Sequence, residues 1–130
     1  MGNAWMSVAG SQSGAKPPWN PDHRLEVSVG EVAAAFRAGE MFRLIDCREE
    51  DEYALCRIKG AQLCPLTELC TSGWESLVGQ SEVVLVYCHH GMRSLRATAL
   101  LRAKGCSNVF SLTGGIDLWA REVDPEIARY

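Results

Sequence analysis

The sequence predicts an α/β domain built on an open, mostly parallel sheet with helices on both faces. Three observations carry this. From Leu25 onward, short apolar runs alternate with amphipathic segments through brief connections, the rhythm of repeated βα units. The run Val83-Val84-Leu85-Val86-Tyr87 is apolar throughout, as a strand covered on both faces must be. The intervening segments carry helix punctuation, a capping pattern at Ser28 and glycine stops at Gly39 and Gly105.

Each element has its own reason. Residues 25–27 form a short first strand. Ser28 with Glu31 three residues on makes a capping box, so a helix opens there, runs through Val32 and Phe36 and stops at Gly39. Residues 42–46 are the second strand and residues 49–55 a short acidic helix. Residues 61–64 form a third strand ended by Pro65, and a helix follows between Leu66 and Val78, interrupted at Thr71-Ser72-Gly73. Residues 83–87, the fourth strand, belong at the centre of the sheet. Residues 94–104 place Leu95, Thr98, Ala99 and Leu101 as the apolar set of a helix and leave Arg96, Arg102 and Lys104 for solvent. Residues 109–112 are the last strand, Gly114-Gly115 a turn and residues 116–121 a closing helix. Residues 1–23, with Gly, Ser, Asn, three prolines and only Trp5 and Trp19 as large rings, read as a flexible leader, since that composition does not offset the entropy of ordering. Residues 24–130 form the domain.

With 130 residues, 47% of them hydrophobic, one real core is expected. A net charge of -3 argues against nucleic acid as a general partner. No basic, apolar secretory start is present, no run approaches the roughly 20 apolar residues that cross a bilayer, and Met6 breaks a myristoylation pattern. The expectation is a soluble, cytoplasmic protein without a membrane partner; oligomeric state is not legible. The six cysteines are expected as reduced thiols, and because no pair has C-x-x-C spacing, neither a metal nor another cofactor is expected.

The chemistry concentrates in Cys88-His89-His90-Gly91-Met92-Arg93, which follows the central strand and leads into the helix opening at Ser94. Sites of parallel sheets form at the carboxyl ends of strands, and Asp46-Cys47-Arg48 ends a second strand that can meet the first. A cysteine facing a helix N-terminus, loop amides and a guanidinium is held as the thiolate, its nucleophilic form. Gly91 permits a positive φ that turns successive N–H groups into one concavity. Arg93 offers a planar fork suited to a sulfonate or phosphate, and Arg96, one turn on, extends the basic rim. His89 and His90 are either acid–base groups or hydrogen-bonded wall residues.

These residues resemble a rhodanese-like sulfurtransferase domain from about Leu25 to the end of the chain. The resemblance rests on Cys88 to Arg93 after Val-Tyr, on Leu44-Ile45-Asp46-Cys47-Arg48-Glu49, on Ile58-Lys59-Gly60-Ala61, and on Leu112-Thr113-Gly114-Gly115-Ile116-Asp117-Leu118-Trp119, in that family's order along the fold. It implies a five-stranded parallel sheet and a double displacement. Cys88 takes a sulfane sulfur from a donor such as thiosulfate, becomes a persulfide, and passes the sulfur to cyanide, a thiol or a sulfur-carrier protein. His89, His90, Gly91, Met92, Arg93 and Ser94 then line the substrate, the amides holding the persulfide and Arg93 the sulfonate. Asp46 and Arg48 act as a supporting brace, and Gly114, Gly115 and Trp119 serve turn and core. The family often has His where this chain has Arg57. Cys47, Cys56, Cys64, Cys70 and Cys106 match no required position and are expected as buried or surface thiols, with a resolving role toward oxidised Cys88 as the lesser alternative.

Two other functions fit part of the pattern. A non-turnover persulfide carrier or redox-responsive interaction domain needs the same reactive Cys88. A cysteine-dependent phosphatase or arsenate reductase uses the same cradle, but its loop has five residues between cysteine and arginine, against four here.

Overall fold

The computed structural model of the chain describes residues 15–71 and 82–130. Within them five strands pair in parallel: β1 (Glu26–Val27), β2 (Arg43–Asp46), β3 (Gln62–Leu63), β4 (Val84–Tyr87) and β5 (Val109–Leu112). Their order is β1-β5-β4-β2-β3, so β4 is central as expected. The helices are α1 (Val29–Arg37), α2 (Glu50–Leu55), α3 (Leu66–Thr71), α4 (Met92–Ala103) and α5 (Gly115–Glu122). No helix among the described residues is long and apolar enough to cross a membrane.

Strand alternation sorts the core onto two faces. Leu44, Leu85, Tyr87, Phe110 and Leu112 meet Val32 and Ala35 of α1 and Ile116 and Trp119 of α5. Ile45, Cys47, Val84, Val86, Cys88 and Val109 meet Leu69 of α3 and Ala97 and Leu101 of α4. Every residue of β4 and β5 is buried, which is why the β4 sequence carries no polar alternation. The Ser28–Glu31 capping box opens α1, with Glu31 N–H donating to Ser28 Oγ at 3.2 Å and Ser28 N–H to Glu31 Oε1 at 3.0 Å.

Three expectations are corrected. Helix α4 opens at Met92, two residues before Ser94, because Gly91 at φ 100° caps it and the loop itself becomes the first turn. Arg102 is not left to solvent: it donates to the carbonyls of Val109, Pro21 and Arg24 at 2.8, 2.7 and 2.8 Å, clamping the chain before β1 onto β5. The residues read as a leader are, from Ala15 on, held to the domain; Trp19 is only 8% exposed, and its ring lies 5.6 Å from that of Phe42 and 5.7 Å from that of Phe110. The buried indole, the Arg102 bond to Pro21 O and the Met41 N–H bond to Ala15 O at 2.8 Å together hold a segment that composition alone read as free. The helix expected between Leu66 and Val78 is present to Thr71, and the rest of that stretch lies outside the described residues.

Candidate active site

Cys88 directly follows β4 and is 1% exposed. The next turn is set by Gly91, where a Cβ would stand 3.1 Å from the Gly114 amide nitrogen and φ is positive, so only glycine fits without strain. The first amides of a helix have no intrahelical acceptor. In α4 the first such bond is Leu95 N–H to Gly91 O at 3.0 Å, which leaves earlier amides for the sulfur. Gly91 N–H donates to Cys88 Sγ at 3.1 Å and Ser94 N–H at 3.3 Å. Ser94 Oγ lies 3.5 Å from Sγ, 3.3 Å from Gly91 O and 2.8 Å from Ser111 Oγ on β5; with Ser111 donating to Ser94, the Ser94 proton has the sulfur and the Gly91 carbonyl as its acceptors.

These donors hold the Cys88 thiol down to about 5. The hydrogen bond from the Cys47 thiol is the largest cause; burial opposes it, and the Ser94 hydroxyl and the amides of Ser94 and Gly91 add to it. The same hydrogen bond, with burial, pushes the Cys47 thiol up. The pair therefore carries one negative charge, on Cys88, and one proton, on Cys47.

The loop is braced from outside by α5. Ile116 N–H donates to Cys88 O at 2.9 Å and Asp117 N–H to His89 O at 3.0 Å. Because a trans peptide is planar, fixing these carbonyls toward α5 turns the N–H groups of His89 and His90 away from it. A Cβ on Gly115 would collide with both carbonyl oxygens, so a glycine is required at this approach.

Arg93 stands beside the thiolate but is engaged by Glu52 of α2, Nη1 to Oε1 at 2.8 Å and Nη2 to Oε2 at 3.0 Å. The Glu52 carboxyl is held down to about 2, chiefly by Arg93. Its oxygens also accept from Glu49 N–H at 3.0 Å and the Tyr130 hydroxyl at 2.7 Å. Tyr130 stacks on His89 at 3.9 Å, and His89 on His90 at 3.9 Å. Burial and the neighbouring His90 push His89 below its ordinary value, so it is a neutral wall residue at physiological pH rather than a ready acid. His90 and Met92 are exposed, and Arg96 lies exposed one turn along α4.

Asp46 and Arg48 form a fully buried ion pair on the other face of β2. Arg48 Nε lies 2.9 Å from Asp46 Oδ1 and Nη2 2.6 Å from Oδ2, with both side chains 0% exposed. The remaining donors go to Cys56 O at 2.5 Å and the Tyr130 hydroxyl at 2.7 Å. Arg48 thus reaches the site only through Tyr130 and Glu52. Arg57, where the resemblance departs, lies over the Tyr53 ring at 4.5 Å.

Among the described residues, His89, His90 and Asp117 each offer one metal-ligand atom, all within 4.8 Å of one another. Asp117 is already met by Arg129 at 2.9 Å and Arg121 at 3.9 Å, cations that a metal would have to displace. The donor set around Cys88, by contrast, suits an anionic sulfur.

Sequence reasoning missed three participants, Glu52, Ser111 and Tyr130, and although it put the segment of Cys47 where it can meet Cys88, it did not foresee the hydrogen bond between the two thiols. Cys47 had a usable signal, since it follows β2 as Cys88 follows β4. Ser111 had one too, as a polar residue inside an apolar strand. Tyr130 had none, because it reaches the site across 78 residues from Glu52.

The titration has a definite sign. The folded Cys88 thiol ionises near 5 against 9.0 for an ordinary cysteine, so its ionisation contributes stability that is full at pH 9, shrinks as pH falls from 9 and is lost through pH 5, while above pH 9 the raised Cys47 thiol works against it. Thiolate absorbance in the folded protein should rise with a midpoint near pH 5 and vanish in Cys88→Ser. A midpoint near that of free cysteine would mean that the amides do not hold the anion.

The model of the Rhodanese-like domain matches residues 28–122. A Pseudomonas entomophila protein named thiosulfate sulfurtransferase GlpE is 34% identical over 102 residues, which cover 76% of this chain and 88% of that protein. The probable adenylyltransferase/sulfurtransferase MoeZ of Mycobacterium tuberculosis is 32% identical over 93 residues, 72% of this chain but 24% of that protein, so the chain spans about a quarter of this relative's length. Among solved structures, a rhodanese-related protein from Thermoplasma volcanium superposes with a TM-score of 0.66 at 26% identity, covering 77% of this chain and 93% of that one.

Proposed function

The chain belongs to the rhodanese-like domain family, and from that premise we propose that it moves a sulfane sulfur from a thiosulfate-type donor to a thiophilic acceptor through a persulfide on Cys88. The observation that carries this reading is the sulfur at the focus of two amides, at 3.1 and 3.3 Å, and a serine hydroxyl. In the first displacement the Cys88 thiolate attacks the donor's outer sulfur, and sulfite leaves with the electron pair of the broken S–S bond. In the second, a nucleophilic acceptor attacks the outer sulfur of the persulfide and Cys88 departs as thiolate. The anion on Cys88 or its persulfide stays within reach of the same donors throughout, which lowers the barrier to both steps. Each displacement forms one bond with the nucleophile's electron pair and breaks one S–S bond whose pair leaves with the departing group, so the balance calls for no outside oxidant or reductant. A thiol or a sulfur-carrier protein fits the acceptor role in a cell.

Arg93 is the donor's anion clamp in this reading. Its pairing with Glu52 orients the fork, and the sulfonate shares the guanidinium when it arrives. Arg93→Ala should lower kcat/KM for thiosulfate by about 10²–10³-fold, the loss of one preorganised charged donor. Initial rates with thiosulfate and cyanide test it; an unchanged kcat/KM removes Arg93 from the site. The same assay tests the function: repeated turnover is the expected result, while single loading without turnover would make the chain a carrier.

A further inference from the structure

Cys47 stands one residue beyond β2 as Cys88 stands one residue beyond β4. Asp46 is opposite Tyr87 in the parallel register, and the ladder runs one step further through Cys47 N–H to Tyr87 O at 3.0 Å. Neighbouring strands lie about 4.8 Å apart. That separation falls inside the range of about 4.4–6.8 Å between Cα atoms that a disulfide spans. Both side chains point to the same face of the sheet and share one buried cluster, where the Cys47 thiol donates its hydrogen bond to the Cys88 sulfur. Cys47 shares with Ser94 and the loop amides the task of holding the Cys88 anion, and this seats a second sulfur against the nucleophile, where it is placed to bond with it. Cys47 is 0% exposed, which keeps external thiols from it and leaves Cys88 as its partner.

We propose a second activity at this pair, resting on the persulfide reading above: when no acceptor arrives, Cys47 resolves the loaded chain, releasing the sulfane sulfur as hydrosulfide and forming a Cys47–Cys88 disulfide. The Cys47 sulfur attacks Cys88 Sγ, forming the disulfide bond. The bond from Cys88 Sγ to the outer sulfur breaks, and its electron pair leaves with that outer sulfur, which also takes the Cys47 proton. Thiol plus persulfide anion thus give disulfide plus HS⁻. The sulfane sulfur is reduced, the two cysteine sulfurs are oxidised, and no outside oxidant enters. Cys47 approaches from the β2 side and the amides from the loop, so the outer sulfur departs toward the loop as the new bond forms behind it. A dithiol reductant reopens the disulfide and restores the nucleophile.

The full chain, reduced and freed of reductant under anaerobic conditions, is loaded with thiosulfate, freed of donor and followed by intact mass and sulfide release. In the wild type a gain of about 32 Da should give way to a loss of about 2 Da relative to the reduced chain, with one hydrosulfide released per chain and a Cys47–Cys88 linked peptide on digestion. Cys47→Ser, which keeps a hydroxyl to donate to Cys88, and Cys47→Val, which does not, should both load more slowly than the wild type because the thiolate loses a donor, but once loaded each should hold its gain of about 32 Da and release no sulfide. A wild type that keeps its gain without releasing sulfide overturns the proposal, as does a linkage that maps to another pair or forms in the Cys47 variants. Failure of the persulfide reading looks different: neither the wild type nor any Cys47 variant gains mass, and none releases sulfide.

Discussion

Cys88→Ser should abolish sulfur transfer, reducing turnover of thiosulfate and cyanide by about 10⁴-fold or more, the scale on which loss of a covalent nucleophile is felt. The reason lies in what the loop stabilises. Gly91 and Ser94 aim their amides at a sulfur whose ionisation is held down to about 5, so at neutral pH the site is an anion with its charge already placed. A serine hydroxyl at the same position stays protonated, and the amides meet a neutral oxygen that cannot form the S–S bond on which both displacements depend. The substitution is close to isosteric, and the same donors satisfy the new oxygen, so the fold should persist. Circular dichroism and initial rates measured on one preparation separate the two effects. Retention of more than about 1% of the rate would transfer the nucleophile's role to another thiol, with Cys47 the first to be tested.

The largest effect on stability should come from Asp46→Asn, at about 3–5 kcal/mol of unfolding free energy. Asp46 and Arg48 are both completely buried, and the carboxylate takes Nε, Nη2 and the Arg48 amide. Removing its charge while keeping its shape leaves a guanidinium in the interior facing the asparagine amide, Cys56, the Tyr130 hydroxyl and the Tyr87 ring, none of which carries a neutralising charge. A loss of that size is a large share of the few kcal/mol by which a small domain is stable. Urea denaturation at neutral pH measures it. A loss below about 1 kcal/mol would show that water reaches Arg48, as at an exposed pair. Because Arg48 steadies Tyr130, and Tyr130 steadies Glu52 against Arg93, the same variant should also weaken donor binding at temperatures where it remains folded.

Much of this was legible along the chain because local chemistry and global fold agree. The apolar run ending at Tyr87 reads as a central strand because a strand covered on both faces is apolar throughout, and the Ser28–Glu31 box opens a helix because it satisfies orphan amides within four residues. The loop from Cys88 to Ser94 was legible for the same reason: its glycine, its helix start and its cysteine are contiguous. What escaped depends on contacts across the sheet. The Arg93–Glu52 pair joins residues 41 positions apart, and Trp19 finds its place only against Phe42 and Phe110. The start of α4 was misjudged by two residues because Ser94 has the chemistry of a cap, yet Gly91 supplies the capping geometry and frees the Ser94 amide for the sulfur.

One measurement reaches the central claim without kinetics: intact mass and peptide mapping of the protein and of Cys88→Ser, quenched in acid within seconds of mixing with thiosulfate. The account requires a gain of about 32 Da on the peptide that contains Cys88, discharged by cyanide and absent from the serine variant. The same gain surviving in Cys88→Ser, or none in a folded wild type, would contradict it.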